Sequence, residues 1–83
     1  MEVFSVKKII DILNELHPEY NYKDSEDFIS DGLLDSIDLQ ELFSMIEEEY
    51  DIELAGTDLA PQNFKNISMI RELLESRGVN VEE

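Results

Sequence analysis

The chain has 83 residues, with 21 acidic and 6 basic residues and a formal net charge of −15. This length fits one small domain with a modest core, since domains usually have about 100–200 residues. The charge excludes nucleic acid and an anionic membrane surface as main partners, because phosphate groups attract Lys and Arg. The absence of cysteine excludes disulfides, thiolate metal sites and a cysteine nucleophile.

The first residues lack the basic and then apolar pattern of a secretory signal. No apolar run approaches the roughly 18 residues that a membrane-spanning helix needs. We therefore expect a cytoplasmic protein without membrane insertion.

The first predicted element is an amphipathic helix. Its apolar face has helical spacing and comprises Val6, Ile9, Ile10, Leu13 and Leu16. Ser5 is the predicted N-cap, and His17-Pro18 ends the helix because a residue before proline avoids the helical region. His17, the only histidine, could be a general base, but a plain helix-end residue is the more common case and no Ser or Cys is close in sequence.

Residues 18–34 form a long connection with four apolar anchors, namely Phe28, Ile29, Leu33 and Leu34. Long loops in compact domains are usually functional or packed down by their own side chains. We expect this loop to lie over the helices, with one helical turn near Phe28.

The second helix is predicted from Ser36 to Tyr50. Its expected core face comprises Leu39, Leu42, Phe43, Ile46 and Tyr50. Asp35 is placed to act as N-cap, and Asp38 follows three residues later as in a capping box, although Glu or Gln is usual there.

A short helical turn is predicted over 59–64, with Pro61 tolerated early in it. The last helix has Asn66 as N-cap and Gly78 after its end. We expect the tail 79–83 to be flexible. The chain shows no strand alternation, so the predicted fold is all-α: a four-helix bundle in a single domain 1–83, with three main helices, one short helix and a long first loop.

The acidic residues are concentrated around the second helix. The segment 24–64 has no Lys or Arg but holds 13 of the 21 acidic residues. Like charges three or four apart destabilise a helix, so fold stability alone does not select this pattern. It fits either a solvated face that aids solubility or a docking surface for basic partners. Four residues lie on the side of the helix away from the core, or near that side, namely Ile37, Glu41, Met45 and Glu48. The apolar Ile37 and Met45 are either exposed incidentally, as single apolar residues often are, or form an apolar contact site surrounded by carboxylates.

Ser36 is the most informative single position. It opens a helix, where the macrodipole and free N–H groups favour a phosphate, although a serine that merely starts the helix is more common. No serine-hydrolase motif is present. Metal binding is not expected, because the calcium-loop-like segment 27–38 has Ile29 where an oxygen ligand belongs.

Residues 31–38 (DGLLDSID), followed by Leu42 and by 47–52 (EEEYDI), resemble the acyl and peptidyl carrier proteins over essentially the whole chain. The resemblance implies a four-helix bundle without enzymatic activity, with phosphopantetheine from coenzyme A esterified to Ser36. It implies that Asp35 and Asp38 flank the site and assist the transferase. It also implies docking through an acidic and apolar face comprising Ile37, Glu41, Met45, Glu47 and Glu48.

The implied partners are a phosphopantetheinyl transferase, an acyl- or amino-acid-activating ligase and acyltransferases with basic docking patches, all acting on a monomer. The segment 59–66 (LAPQNFKN) departs from the fatty-acid carriers. Together with 31–34, it looks more like the stand-alone aminoacyl, D-alanyl and other specialised carriers. The alternative is a small acidic adaptor without a prosthetic group, and an enzyme is the weakest interpretation.

Overall fold

The computed structural model describes residues 3–82, which are mostly helical. The main elements in chain order are strand β1 (Val3–Ser5), helices α1 (Val6–Leu16), α2 (Ser36–Tyr50) and α3 (Ile67–Ser76), and strand β2 (Asn80–Glu82). Three single 3-10 turns lie in the connections, at Tyr22–Asp24, Gly56–Asp58 and Pro61–Asn63. The three main helices are at their predicted positions, and the short turn expected over 59–64 is the 3-10 turn Pro61–Asn63.

Helix α1 packs through an apolar face that includes Ile9, Ile12 and Leu13, all buried. Ser5 precedes the helix, as predicted, but its side chain forms no capping hydrogen bond. The His17 N–H donates to the Leu13 carbonyl and closes the last turn before Pro18.

Helix α2 buries Leu39, Leu42, Ile46 and Tyr50, while Phe43 is half-buried at the edge of the core. The helix ends at Asp51, whose φ of 52° lies in the left-handed region that Asp tolerates better than most residues. The predicted core face is therefore correct at four positions and peripheral at the fifth.

The first loop lies over the helices, as predicted. Tyr22, Phe28 and Leu34 are buried among the core side chains. The Phe28 N–H donates to the Lys65 carbonyl at 2.6 Å, and the Asn66 amide donates to the Glu26 carbonyl at 2.9 Å. The loop is thus attached to the segment that precedes α3.

Helix α3 begins where the sequence predicts, since the Asn66 side chain accepts the Met69 N–H at 2.8 Å. Gly78 follows the helix with φ of 85°, a conformation that glycine adopts without a steric penalty. The turn directs the chain into β2.

The two strands correct the all-α prediction. β1 and β2 form a two-stranded parallel sheet in which Phe4 lies opposite Val81. We expected a flexible tail, but residues 79–82 pack against the core instead, with Val79 and Val81 only 7% and 3% exposed. Strands of three residues are too short to show alternation in the sequence, and their pairing joins opposite ends of the chain. Glu83 lies outside the described residues.

The buried apolar side chains form one cluster, to which the helices, the loops and β2 all contribute. Over residues 3–82 no helix combines the length and apolar character needed to cross a membrane.

The packing of β2 generates a stability prediction. Val81→Ala removes buried methyl groups and should lower the free energy of unfolding by about 1.5–3 kcal/mol. Glu82→Ala, on the exposed side of the same strand, should change it by less than about 0.5 kcal/mol. Urea denaturation of both variants measures the difference, and equal midpoints would show that the tail is not packed in solution.

Candidate functional site

Ser36 is the first residue of α2, and its side chain is exposed. Its hydroxyl forms no hydrogen bond to any of residues 3–82, so the oxygen is available for reaction. The N–H groups of Ser36 and Ile37 lie in the first helical turn and have no acceptor within the helix. The positive end of the α2 dipole is therefore next to an accessible hydroxyl.

A reciprocal capping box fixes the start of this helix. The Asp35 carboxylate accepts the Asp38 N–H at 2.9 Å, and the Asp38 carboxylate accepts the Asp35 N–H at 3.1 Å. The predicted box is confirmed, with Asp in the place of the usual Glu or Gln. Backbone N–H groups therefore hold the two carboxylates beside Ser36 in place.

His17 links the end of α1 to the start of α2. Its Nε2 lies 3.0 Å from Asp38 Oδ2, the oxygen that also accepts the Asp35 N–H. The Tyr22 hydroxyl donates to the His17 carbonyl at 3.0 Å and ties the first loop to the same point. His17 is therefore more than a plain helix end, although it contacts a carboxylate rather than a nucleophile.

The electrostatics of this contact favour an ion pair. The hydrogen bond to Asp38 raises the pKa of His17 above 6.5, against a smaller opposing effect of desolvation. Desolvation alone would raise the pKa of Asp38, but hydrogen bonds from the Asp35 N–H and the His17 ring lower it below 3.8. Burial raises the pKa of Tyr22 to about 12, so its hydroxyl remains a donor over the range in which His17 and Asp38 titrate.

The outward side of α2 carries a shallow depression beside exposed carboxylates. Ile37, Glu41 and Met45 line this depression, which has a volume of about 400 Å³. Ile37 is 67% exposed and is one of the large apolar side chains of residues 3–82 that face solvent. Glu41 and Glu48 are also exposed, so the structure brings together an apolar contact and negative charge on one helix face.

Two of the predicted docking residues differ in their surroundings. Met45 is half-buried and packs against the core as well as lining the depression. Glu47 is also half-buried, and its Oε2 accepts the Leu54 N–H at 2.9 Å. Glu47 therefore holds the chain after α2, a role that the helix pattern cannot reveal because Leu54 lies beyond the helix.

The calcium-loop-like segment uses its carboxylates internally. Asp27 accepts the N–H groups of Ile29 and Ser30, each at 3.1 Å, and Asp31 accepts the Ser25 hydroxyl at 2.5 Å. Within residues 3–82, no group of three or more His, Asp or Glu side chains is placed to hold a metal ion.

Comparisons with protein-family models, curated proteins and solved structures find no match to this chain. The site is therefore interpreted from its own geometry and from the sequence resemblance.

Sequence reasoning missed the His17 contact because its partner is 21 residues away. A histidine at the end of one helix and a carboxylate in the first turn of the next form a complementary pair. Only the path of the first loop decides whether they meet.

The His17–Asp38 contact predicts a pH-dependent contribution to stability. A raised His17 pKa gives a contribution that is complete below 6.5 and disappears as pH rises through the folded-state pKa. A lowered Asp38 pKa gives a stabilising contribution that is fully present above pH 3.8 and is lost as the pH falls through the pKa of Asp38 in the folded state. The melting temperature of wild type should therefore exceed that of His17→Gln most between about pH 4 and 6.5.

Thermal unfolding followed by circular dichroism at several pH values measures this difference. Glu19→Gln is the control, because Glu19 lies 3.7 Å from His17 Nδ1 but is outside the capping box. A melting difference between wild type and His17→Gln that is the same from acid to alkaline pH would contradict an ion pair.

Proposed function

We propose that this protein is a carrier of acyl or aminoacyl groups, with a phosphopantetheine arm esterified to Ser36. The observation that carries the proposal is the position of Ser36, an exposed hydroxyl on the first residue of an acidic helix directly after an aspartate N-cap. The resemblance of residues 31–38 to the carrier proteins supplies the chemistry.

The residues around Ser36 fit such an arm. Its hydroxyl provides the ester oxygen, and the N–H groups of the first turn of α2, together with the helix dipole, favour the negative charge of a phosphodiester. The Asp35 and Asp38 carboxylates would repel that phosphate, but both accept backbone N–H groups, which offsets part of their charge. When attached, the arm supplies the thiol on which cargo is carried as a thioester, and the chain itself has no cysteine.

In this proposal, α1, α2 and α3 are the three main helices of a carrier bundle. The 3-10 turn Pro61–Asn63 takes the place of the short fourth helix. The parallel pair of β1 and β2 is an addition that the resemblance does not imply.

Partner enzymes would recognise the outward side of α2. A phosphopantetheinyl transferase, a ligase and acyltransferases with basic patches would meet Glu41 and Glu48, with Ile37 as the apolar contact. Negative charge at this surface would accelerate encounter with a basic partner in a salt-dependent manner. We place the protein in the cytoplasm, as a monomer nearer to the stand-alone aminoacyl carriers than to the fatty-acid carriers.

The first test is covalent modification. Incubation with coenzyme A and a broad-specificity phosphopantetheinyl transferase should raise the intact mass by one phosphopantetheinyl group. Ser36→Ala should abolish the gain, whereas Ser44→Ala, an exposed serine on the same helix, should leave it unchanged. No gain in the wild-type chain, or an equal gain in Ser36→Ala, would favour the acidic adaptor instead.

The second test concerns docking. Glu41→Lys and Glu48→Lys should slow modification of Ser36 by about tenfold at low salt, because both reverse an exposed charge that faces the transferase. Glu72→Lys, an equal charge reversal on the exposed side of α3, should have little effect. Glu47→Lys should in addition lower the melting temperature, since it removes the acceptor of the Leu54 N–H. Equal rates of Ser36 modification in all variants would indicate that the acidic face aids solubility and does not dock the transferase.

A further inference from the structure

His17 is the residue at which three parts of the chain meet. Its backbone N–H closes the last turn of α1 on the Leu13 carbonyl, and its own carbonyl accepts the Tyr22 hydroxyl of the first loop at 3.0 Å. These two backbone contacts are enough to end the helix and attach the loop. The ring makes a third contact, with Asp38 in the first turn of α2, and this contact reaches the surroundings of Ser36.

One oxygen atom connects the His17 ring to the backbone beside Ser36. Asp38 Oδ2 lies 3.0 Å from His17 Nε2 and also accepts the Asp35 N–H at 3.1 Å. The Asp35 carboxylate in turn accepts the Asp38 N–H at 2.9 Å. The contacts thus run without interruption from the imidazole to the residue that precedes Ser36. A ring that holds Asp38 Oδ2 in place therefore also holds the acceptor of the Asp35 N–H.

The groups that face the imidazole favour its cationic form. The carboxylates that raise its pKa come from α2 and from the first loop, namely Asp38, Asp35 and Glu19. The first loop also contributes two aromatic neighbours: the Tyr20 ring, whose centroid is 5.5 Å away, and Tyr22, which is neutral near pH 7 because its pKa is about 12. His17 is the only histidine of the chain, so its charge changes in a pH range where ordinary carboxyl and lysine side chains do not titrate.

We propose that His17 is a positioning residue for the modification of Ser36: its ring holds the Asp38 carboxylate, and through it the backbone of Asp35, in the orientation that presents the Ser36 hydroxyl to the transferase. The inference rests on the carrier function proposed above. The imidazolium form holds Asp38 through a charge-assisted hydrogen bond, which is roughly twice as strong as a neutral one. Presentation of Ser36 is therefore best while His17 is charged, and this advantage is lost as the pH rises through the folded-state pKa of His17.

The pH profile of Ser36 modification tests the proposal. Initial rates with coenzyme A and the transferase are measured by intact mass from pH 6 to pH 9, and each variant is compared with wild type at the same pH, which cancels the pH dependence of the transferase itself. His17→Gln should be modified about three- to tenfold more slowly than wild type at pH 6 and at nearly the same rate at pH 9. His17→Lys, which carries a cation over the whole range, should restore the rate at pH 6.

Val81→Ala is the matched control, because it removes buried methyl groups in β2 rather than a contact at the start of α2. Its rate relative to wild type should be the same at every pH. A rate for His17→Gln that is reduced equally at pH 6 and pH 9, or an equal loss in Val81→Ala, would show that His17 only stabilises the fold and would overturn the proposal.

Amide NMR of the unmodified chain separates this inference from the carrier proposal. The amide signals of Asp35 and Ser36 should shift with the same pH midpoint as the His17 ring signals in wild type, and His17→Gln should lose this step. Absence of the step in wild type would overturn the coupling even if Ser36 is modified. A step without any modification of wild type would instead overturn the carrier proposal, and with it the role of His17 in modification.

Discussion

The folded structure must overcome the mutual repulsion of its carboxylates. A net charge of −15 on 83 residues opposes compaction, and a chain of this size has a limited core to counter it. Every segment accordingly contributes apolar surface to one cluster. The first loop contributes Tyr22 and Phe28, the connection before α3 contributes Phe64, and β2 contributes Val81.

The same constraint explains how the polar groups are used. Carboxylates near backbone N–H groups accept hydrogen bonds from them, as Asp27, Asp38 and Glu47 do. Such contacts reduce the cost of the charge and add local order to loops and helix ends. The six basic residues are too few to neutralise the remaining carboxylates.

The surface around the start of α2 combines a hydroxyl group with negative charge. Around the start of α2, an accessible Ser36 hydroxyl lies beside Asp35 and Asp38, and exposed carboxylates continue along the helix. Under the carrier proposal, this surface would meet partners with basic patches and would carry the covalent arm at Ser36.

Local sequence determined the three helices and their ends. Proline after His17, the Asp35 capping box, the Asn66 cap and Gly78 act within one turn of chain, and each is found where the sequence predicts it. The exposure of Ser36 and the burial of Leu42 and Ile46 also follow from helical periodicity. The two strands and the His17–Asp38 contact depend on residues distant in sequence, and the structural use of Glu47 depends on the path of the chain after α2. Only tertiary structure decides these features, because packing of the loops and helices brings such groups together, and no local propensity encodes that path.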